Sequence, residues 1–155
     1  MTAPKGYTCA TMKDFIGYEW KTPDETEINQ IRINTFADCT GDHQWIHVNP
    51  AAAKKHSPFG TTVAHGFLVL SMLAGSIADL GVIPEDAKGV LNYGTNKVRF
   101  LTPVVVNSKV INTYKLVSVE EKGEGRLLVT FEATTTIVGM PKPAIAAEIL
   151  AMVIT

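Results

Sequence analysis

The sequence predicts an α+β fold in which an antiparallel sheet wraps round a single central helix. The C-terminal half contains four runs that alternate with period two, as strands covered on one face do: KVRF, KVINTYKLVSV, RLLVTFEATTTIV and AIAAEILAMVI. Residues 67–80 are instead apolar on every side, which is typical of a buried helix. A chain of 155 residues has the size of one domain with a real core, so we expect both parts to share it.

The N-terminal half predicts a short strand, YEWKT, followed by a helix. The helix start signal consists of Thr22 as N-cap, Pro23 at the first position and Glu25 three residues after the cap. Gly41 occupies the usual place of a left-handed C-terminal cap, so the helix should end there. Residues at helical spacing would line one face of this helix: Ile28, Ile31, Thr35 and Cys39.

A shorter helix and the buried helix complete the predicted helical elements. Asn49 and Pro50 are typical of a cap and a first helical residue, so a short helix should continue through AAAKK. Residues 42–48 then form a non-helical connector whose polar side chains can point into a cleft. The buried helix should end near Gly81. In the third strand run, alternate residues should share one face: Leu127, Val129, Phe131, Ala133, Thr135 and Ile137.

Composition and charge argue against several classes of function. The chain has 14 Lys and Arg residues, 15 Asp and Glu residues and a formal net charge of -1, without a basic stretch interleaved with aromatics, so nucleic acid is not an expected partner. Cys9 and Cys39 are too few for a disulfide framework, and the start MTAPKGYTCA lacks the apolar core of a signal peptide, which favours a cytoplasmic protein. The apolar segment is interrupted by Ser71, Ser76 and Asp79 and is shorter than the roughly 20 residues that cross a bilayer, so no membrane is expected.

The stretch FADCTGDHQWIHVNP places an aspartate and two histidines close together: Asp42, His43 and His47. An Asp and a His in a short connector can converge on one water, and His is the side chain whose ordinary pKa lies nearest neutral pH. The pattern therefore permits general acid–base catalysis. It equally permits a structural turn in which Asp42 caps the turn and His47 bonds to a backbone carbonyl.

A metal site is a third interpretation of the same stretch, because Asp42, His43, His47 and His65 are all acceptable ligands. His43 and His47, however, would present their rings on one face only within a helix. The glycine before this stretch and the Asn-Pro after it argue against a helix. We therefore expect no metal.

Three motifs together resemble one known family. FADCTGDHQWIH, PFGTTVAHGF and NYGTNKVRFLTPV are similar to the MaoC-like dehydratases, the (R)-specific enoyl-CoA hydratases, in their nodulation-protein-N-like branch. The resemblance covers most of the chain. It implies a single hotdog domain over residues 1–155, with an N-terminal helical overhang, that forms a homodimer.

The resemblance also implies an activity and a set of site residues. The family adds water to trans-2-enoyl-CoA to give (3R)-hydroxyacyl-CoA, or catalyses the reverse dehydration, without a cofactor or metal. The family's catalytic Asp and His match Asp42 and His47, and its backbone donor to the thioester carbonyl matches Gly66. Free N–H groups and the helix dipole at the start of the buried helix suit that role, although Gly66 equally serves to avoid a clash between helix and sheet.

The chain departs from the family pattern at two places. Gln44-Trp45 stands where the family commonly has Asn-Pro, and Asn49-Pro50 stands where it often has Asp-Pro. Asn caps a helix about as well as Asp, so the second change should be structurally mild. Trp45 is large enough to reshape an acyl site, which leaves the acyl chain length open, and the carrier, coenzyme A or acyl carrier protein, is open as well.

Two other functions fit the same residues. Hotdog proteins include acyl-CoA thioesterases, in which a carboxylate such as Asp42 directs water at the thioester carbonyl. A non-catalytic acyl-thioester-binding protein would use the same cleft without turnover and should tolerate the loss of His47. His65 is expected to anchor its loop by hydrogen bonds rather than to act in catalysis.

Overall fold

The computed structural model describes residues 3–155, apart from the side chains at positions 78 and 79. Residues 1 and 2 of the predicted domain lie outside the described part. After a 3₁₀ turn at Met12–Phe15, the helices are α1 (Gln30–Thr40), α2 (Trp45–Val48), α3 (Pro50–His56) and α4 (Gly66–Asp79). The strands are β1 (Glu19–Lys21), β2 (Thr26–Ile28), β3 (Gly89–Phe100), β4 (Ser108–Gly123), β5 (Arg126–Ile137) and β6 (Pro143–Ile154).

The strands form one antiparallel sheet in the order β1-β4-β5-β6-β3, with β2 also paired to β4. The long strands β4, β5 and β6 are therefore central, and β3 is an edge strand. Helix α4 packs on this sheet, since Leu68, Leu73 and Ile77 belong to the same apolar cluster as Tyr114 and Phe131. Helices α1 to α3 precede α4 as the predicted overhang. The predicted α+β arrangement of a sheet around one apolar helix is confirmed.

Strand β5 has the two faces that its sequence predicts. The residues of the predicted face are all buried except Ile137, which is half-buried. The residues between them are exposed or half-buried, with Glu132 exposed. One face of the sheet therefore supplies the core on which α4 lies.

Two buried polar contacts fix the position of α4 on the sheet. Tyr114 of β4 donates its hydroxyl hydrogen to the Leu73 carbonyl at 2.6 Å, and Nδ2 of Asn112 donates to the Ser76 hydroxyl at 2.7 Å. Burial raises the pKa of Tyr114 to about 12, so its hydroxyl remains a donor at neutral pH. Because buried polar groups are costly when unpaired, these bonds favour a single placement of the helix.

Helix α4 is not covered on every side, contrary to the sequence prediction. Leu68, Val69 and Leu73 are buried against the sheet, but Ser71 is exposed and the side chain of Phe67 is 67% exposed. The reason is geometric, because a single sheet covers only the side of a helix that faces it. The apolar outer side of α4 is left open in one chain.

Helix α1 begins later than the sequence predicts. Asn29, not Thr22, is its N-cap, and the Asn29 side chain accepts a hydrogen bond from the Arg32 N–H. Thr22 instead follows the end of β1, where its hydroxyl accepts the N–H of Asn112 in β4 at 3.0 Å. Strand β2 then lies between Thr22 and Asn29, and its pairing with β4 outweighs the local helix signal. The predicted strand at YEWKT is present as β1.

The face of α1 that packs on the core also differs from the predicted face. Ile28 lies in β2, and Ile31 is 76% exposed. The buried residues of the helix are Ile33 and Ala37. The other predicted residues, Thr35 and Cys39, are exposed like Ile31, whereas Ile28 is buried as part of β2.

Strand β3 is longer than the predicted KVRF run and starts at Gly89. The additional residues pair with β6 despite register irregularities between Asn92 and Gly94 and between Asn96 and Arg99. The glycines and asparagines among these residues are weak strand formers, and their pairing with β6 keeps them in the strand. Among the helices of the described part, none is both long and apolar enough to cross a lipid bilayer.

Candidate active site

Asp42 follows the end of α1. The helix terminates at Gly41, which has a φ of 80° in the left-handed region, as the sequence predicts. Asp42 is exposed, and its Oδ1 atom accepts a long hydrogen bond of 3.4 Å from the Gln44 N–H. The carboxylate is thus open to solvent and to a ligand.

His47 lies in α2, one turn of helix, and not in the non-helical connector that the sequence predicts. The turn forms because the Gln44 carbonyl accepts the His47 N–H at 2.9 Å. Nδ1 of the His47 ring lies 2.7 Å from the Val63 carbonyl, and since a carbonyl only accepts, Nδ1 carries the hydrogen. In the neutral ring Nε2 then has a free lone pair, which can accept a hydrogen from water.

His65 is the site residue whose position the sequence did not reveal. It is only 2% exposed, and Nε2 of its ring donates a hydrogen bond to the Asp42 carbonyl at 2.8 Å. This is the expected loop anchor. Its ring is also stacked on the His47 ring, with the centroids 3.9 Å apart and an angle of 28° between the planes. The signal available in the sequence was a histidine directly before the Gly66 that starts α4.

These three side chains form one cluster. A carboxylate oxygen of Asp42 and one ring nitrogen from each of His47 and His65 lie within 4.8 Å of one another. Two hydrogen bonds of about 2.8–3.0 Å that meet at one water, at its roughly tetrahedral angle, span about 4.4–4.9 Å. One water can therefore contact Asp42 and His47 together.

The cluster is poorly arranged for a metal ion. An imidazole directs its lone pair in the plane of its ring, and metal–nitrogen bonds are about 2.0–2.1 Å long. The His47 and His65 ring centroids are 3.9 Å apart with 28° between the planes, and Nδ1 of His47 and Nε2 of His65 each bond to a backbone carbonyl. Of the two remaining ring nitrogens, Nδ1 of His65 is buried, which disfavours a metal shared by both rings. His43, the other acceptable ligand, is exposed, and its Nε2 lies 3.7 Å from Oδ1 of Asp38.

Gly66 is the first residue of α4. Among the hydrogen bonds of the described residues, none is donated by its N–H, as expected for the first turn of a helix. A Cβ atom at this position would lie 2.8 Å from two ring carbons of Phe100, so the glycine also avoids a clash. A cavity of about 160 Å³ adjoins Gly66 and Phe100. Gly66 therefore has a free N–H donor and also a steric reason to lack a side chain.

An open groove of about 500 Å³ lies between α1 and α4. Its apolar lining comes from Ile31, Phe36, Cys39 and Leu68. Phe36 also lies against the cluster, because its ring is 5.1 Å from the His65 ring between centroids. Trp45 lies outside this lining, and its ring packs edge-on against the exposed His56 at 6.5 Å.

The sheet, the central helix and the helical overhang define a protein of the hotdog class. The family model described as MaoC like domain matches residues 12–138. The chain therefore belongs to the MaoC-like dehydratase family, as its motifs predicted. Membership in a family of dehydratases and hydratases supports a hydro-lyase.

Individual relatives agree with this assignment. The chain is 46% identical over 125 residues to 3-hydroxyacyl-thioester dehydratase Z of Mycobacterium tuberculosis, covering 81% of this chain and 82% of that protein. It is 42% identical over 131 residues to nodulation protein N of Rhizobium leguminosarum, covering 84% and 78%. The solved (R)-hydratase of A. caviae, involved in PHA biosynthesis, has a TM-score of 0.72 at 20% identity, covering 88% and 94%. The likeness to the A. caviae hydratase supports the hotdog fold. The match to nodulation protein N confirms the predicted nodulation-protein-N-like branch.

Proposed function

We propose that this protein is an (R)-specific 2-enoyl-CoA hydratase, which adds water to trans-2-enoyl-CoA to give (3R)-hydroxyacyl-CoA or catalyses the reverse dehydration. The observation that carries the proposal is the proximity of Asp42 and His47, whose carboxylate oxygen and ring nitrogen lie within 4.8 Å of each other. The free N–H of Gly66 at the start of α4 supports it. The relative named 3-hydroxyacyl-thioester dehydratase Z supports a thioester substrate.

The tautomer of His47 that its hydrogen bond to Val63 implies favours this residue as the base. Its Nδ1–H is engaged by the Val63 carbonyl, so Nε2 accepts a proton from water while the Asp42 carboxylate holds the other water hydrogen. The water oxygen forms a bond to C3 of the enoyl group, and the electron pair of the double bond moves toward the thioester oxygen. The His47 imidazolium then returns the proton to C2. The reaction is redox-neutral and needs no cofactor.

Gly66 has a separate role in this reaction. Negative charge develops on the thioester oxygen when water attacks, and a backbone N–H at a helix N-terminus stabilises such charge. The absence of a side chain lets the thioester approach the backbone closely. Gly66 is therefore the proposed oxyanion donor.

The groove between α1 and α4 is the proposed acyl site. Its lining is mainly apolar, and one lining residue, Phe36, contacts the His65 ring beside the proposed catalytic pair. Its volume of about 500 Å³ and its open side leave room for chains longer than crotonyl.

We also infer that the protein acts as a homodimer. The outer side of α4 exposes Phe67, and the edge strand β3 exposes Leu91 and Tyr93, each of which is 61% exposed. A groove lined by α4 and β3 residues, Ser71, Ala74 and Tyr93 among them, joins the two surfaces. An unpaired edge beside apolar surface favours pairing with a second copy.

The test is the loss of enoyl-thioester absorbance with crotonyl-CoA and longer trans-2-enoyl-CoAs, followed by chiral analysis of the product. We expect (3R)-hydroxyacyl-CoA. Release of free thiol without hydration would identify a thioesterase instead. Binding without turnover at any chain length would identify an acyl-binding protein and contradict the proposal.

A further inference from the structure

We propose that His65 is a positioning residue that holds both members of the catalytic pair, an inference that rests on the proposed hydratase function. The ring makes a different contact with each member: Nε2–H donates to the Asp42 carbonyl at 2.8 Å, and the ring face stacks on His47 at 3.9 Å. His65 itself is 2% exposed. The surrounding core therefore fixes the His65 ring. The ring in turn holds Asp42 and His47, which are more exposed to solvent than His65.

The hydrogen bond to Asp42 ties an exposed segment to the core. Asp42 follows the last turn of α1, and its N–H makes only a long 3.4 Å contact with the Thr40 hydroxyl. A carbonyl only accepts, so the His65 hydrogen must be on Nε2. The other nitrogen, Nδ1, is buried without a hydrogen-bond partner among the described residues, so a hydrogen placed there would be an unpaired buried donor. The tautomer of His65 and the position of Asp42 are thus linked.

The stack on His47 restricts a motion that its own hydrogen bond does not. The bond from Nδ1 to Val63 holds one atom of the His47 ring and leaves the ring free to rock about that point. A flat ring against its face removes this freedom and keeps Nε2 directed at the water. The Phe36 ring also contacts the His65 ring, with 5.1 Å between the centroids. The rings of Phe36, His65 and His47 therefore form a series of contacts between the proposed acyl groove and the catalytic pair.

Two variants separate the two contacts. His65→Phe keeps a flat ring and loses the donor to Asp42, whereas His65→Gln keeps a donor at the ε position and loses the stack. A misplacement of about 1 Å can cost about 100-fold in rate, so we expect each variant to lower kcat by about 10- to 100-fold with KM nearly unchanged. The matched control is His56→Phe at an exposed histidine outside the site, which should keep full activity.

Double variants distinguish positioning from a loss of folded protein. In the Asp42→Asn background, His65→Phe should lower kcat little further, because the residue that it positions is already disabled. His65→Gln should behave in the same way in the His47→Gln background. A purely structural role would lower activity by the same factor in every background and would overturn the proposal, as would normal kcat in both single variants.

Failure of the hydratase function gives a different result, namely no turnover by the wild-type protein. The His65 contacts are then tested without activity, by long-range ¹H–¹⁵N spectra of the histidine rings and by amide hydrogen exchange. We expect the hydrogen on Nε2 of His65 and on Nδ1 of His47, and faster exchange at residues 42–44 in His65→Phe. A hydrogen on Nδ1 of His65, or unchanged exchange, would overturn the positioning role.

Discussion

At the scale of single residues, Asp42 and His47 should act as one unit, because both are proposed to contact the same water. Asp42→Asn and His47→Gln should each lower kcat by a factor of about 100 to 10,000, the usual contribution of general acid–base catalysis. KM should change little, since neither residue is proposed to bind the coenzyme A moiety. The double variant should be barely slower than either single variant, because the second loss disables nothing further. Steady-state hydration of crotonyl-CoA measures all three.

The control for this pair is His43→Gln, which makes the same type of change at an exposed histidine beside Asp42. It should leave kcat unchanged. If the losses of the two single variants multiply in the double variant, each residue acts on a separate step, and the mechanism in which both contact one water is wrong. Near-normal turnover by either single variant has the same consequence.

Gly66 allows a second prediction about one residue, this time on stability. In Gly66→Ala the new Cβ meets the Phe100 ring at 2.8 Å, so the ring must move. Because the Phe100 ring is half exposed and can turn away, we expect the free energy of unfolding to fall by about 1 kcal/mol, the low end of the cost of overpacking. In a Phe100→Ala background the same substitution should cost nothing. Urea denaturation of the four proteins measures the coupling.

Gly75→Ala is the matched control, because Gly75 lies in the same helix and a Cβ atom there would meet no neighbouring group within 4 Å. It should raise the free energy of unfolding by up to about 1 kcal/mol, since alanine is the better helix former. An equal loss of stability at both glycines would show that the Phe100 contact is not the cause.

The sequence predicted the proximity of those candidate site residues that are close together along the chain. Asp42 and His47 fall in one short segment, so their convergence was visible as a local pattern. The stack of His47 on His65 and the bond from His47 to the Val63 carbonyl join different segments. Such contacts depend on how the overhang packs against the start of α4, which no local spacing encodes.

At the scale of helices and strands, Asn49 is the cap that starts α3 just after the turn that carries His47. Its side chain accepts the Ala52 N–H at 3.0 Å. Asn49→Ala should lower the free energy of unfolding by about 0.5–2 kcal/mol, the usual cost of losing a cap. Asn49→Asp, which restores the residue common in the family, keeps an acceptor and should be nearly neutral. Thermal unfolding at neutral pH compares them, and equal losses in both variants would refute the capping role.

The boundaries of α1 and β3 mark the limit of local signals. Thr22 and Pro23 have the chemistry of a helix start, but the Thr22 hydroxyl accepts a hydrogen bond from Asn112 in the sheet. The glycine and asparagines of β3 are weak strand formers, yet β6 pairs with them. In both cases a strand distant in sequence supplies the hydrogen bonds that decide the structure.

At the scale of the whole molecule, the apolar character of α4 on every side predicted complete burial, and a single chain provides it on one side only. The sheet of one chain covers Leu68, Val69 and Leu73 and leaves Phe67 exposed. A sequence records the burial of a side chain without recording which chain buries it. The uncovered side of α4 is therefore the feature of the monomer that most favours a second copy.

The edge strand β3 provides the last prediction, which concerns assembly. If β3 and the outer side of α4 meet a second copy, light scattering at micromolar concentration should give about twice the chain mass of 16.8 kDa. Leu91→Lys combined with Tyr93→Lys places two charges on this exposed surface, and lysine is the residue that natural edge strands use to prevent pairing. The double variant should therefore be a monomer, whereas Val138→Lys, at an exposed position after β5, should remain a dimer. A wild-type monomer at micromolar concentration would contradict the homodimer, and a dimeric double variant would place the interface elsewhere on the molecule.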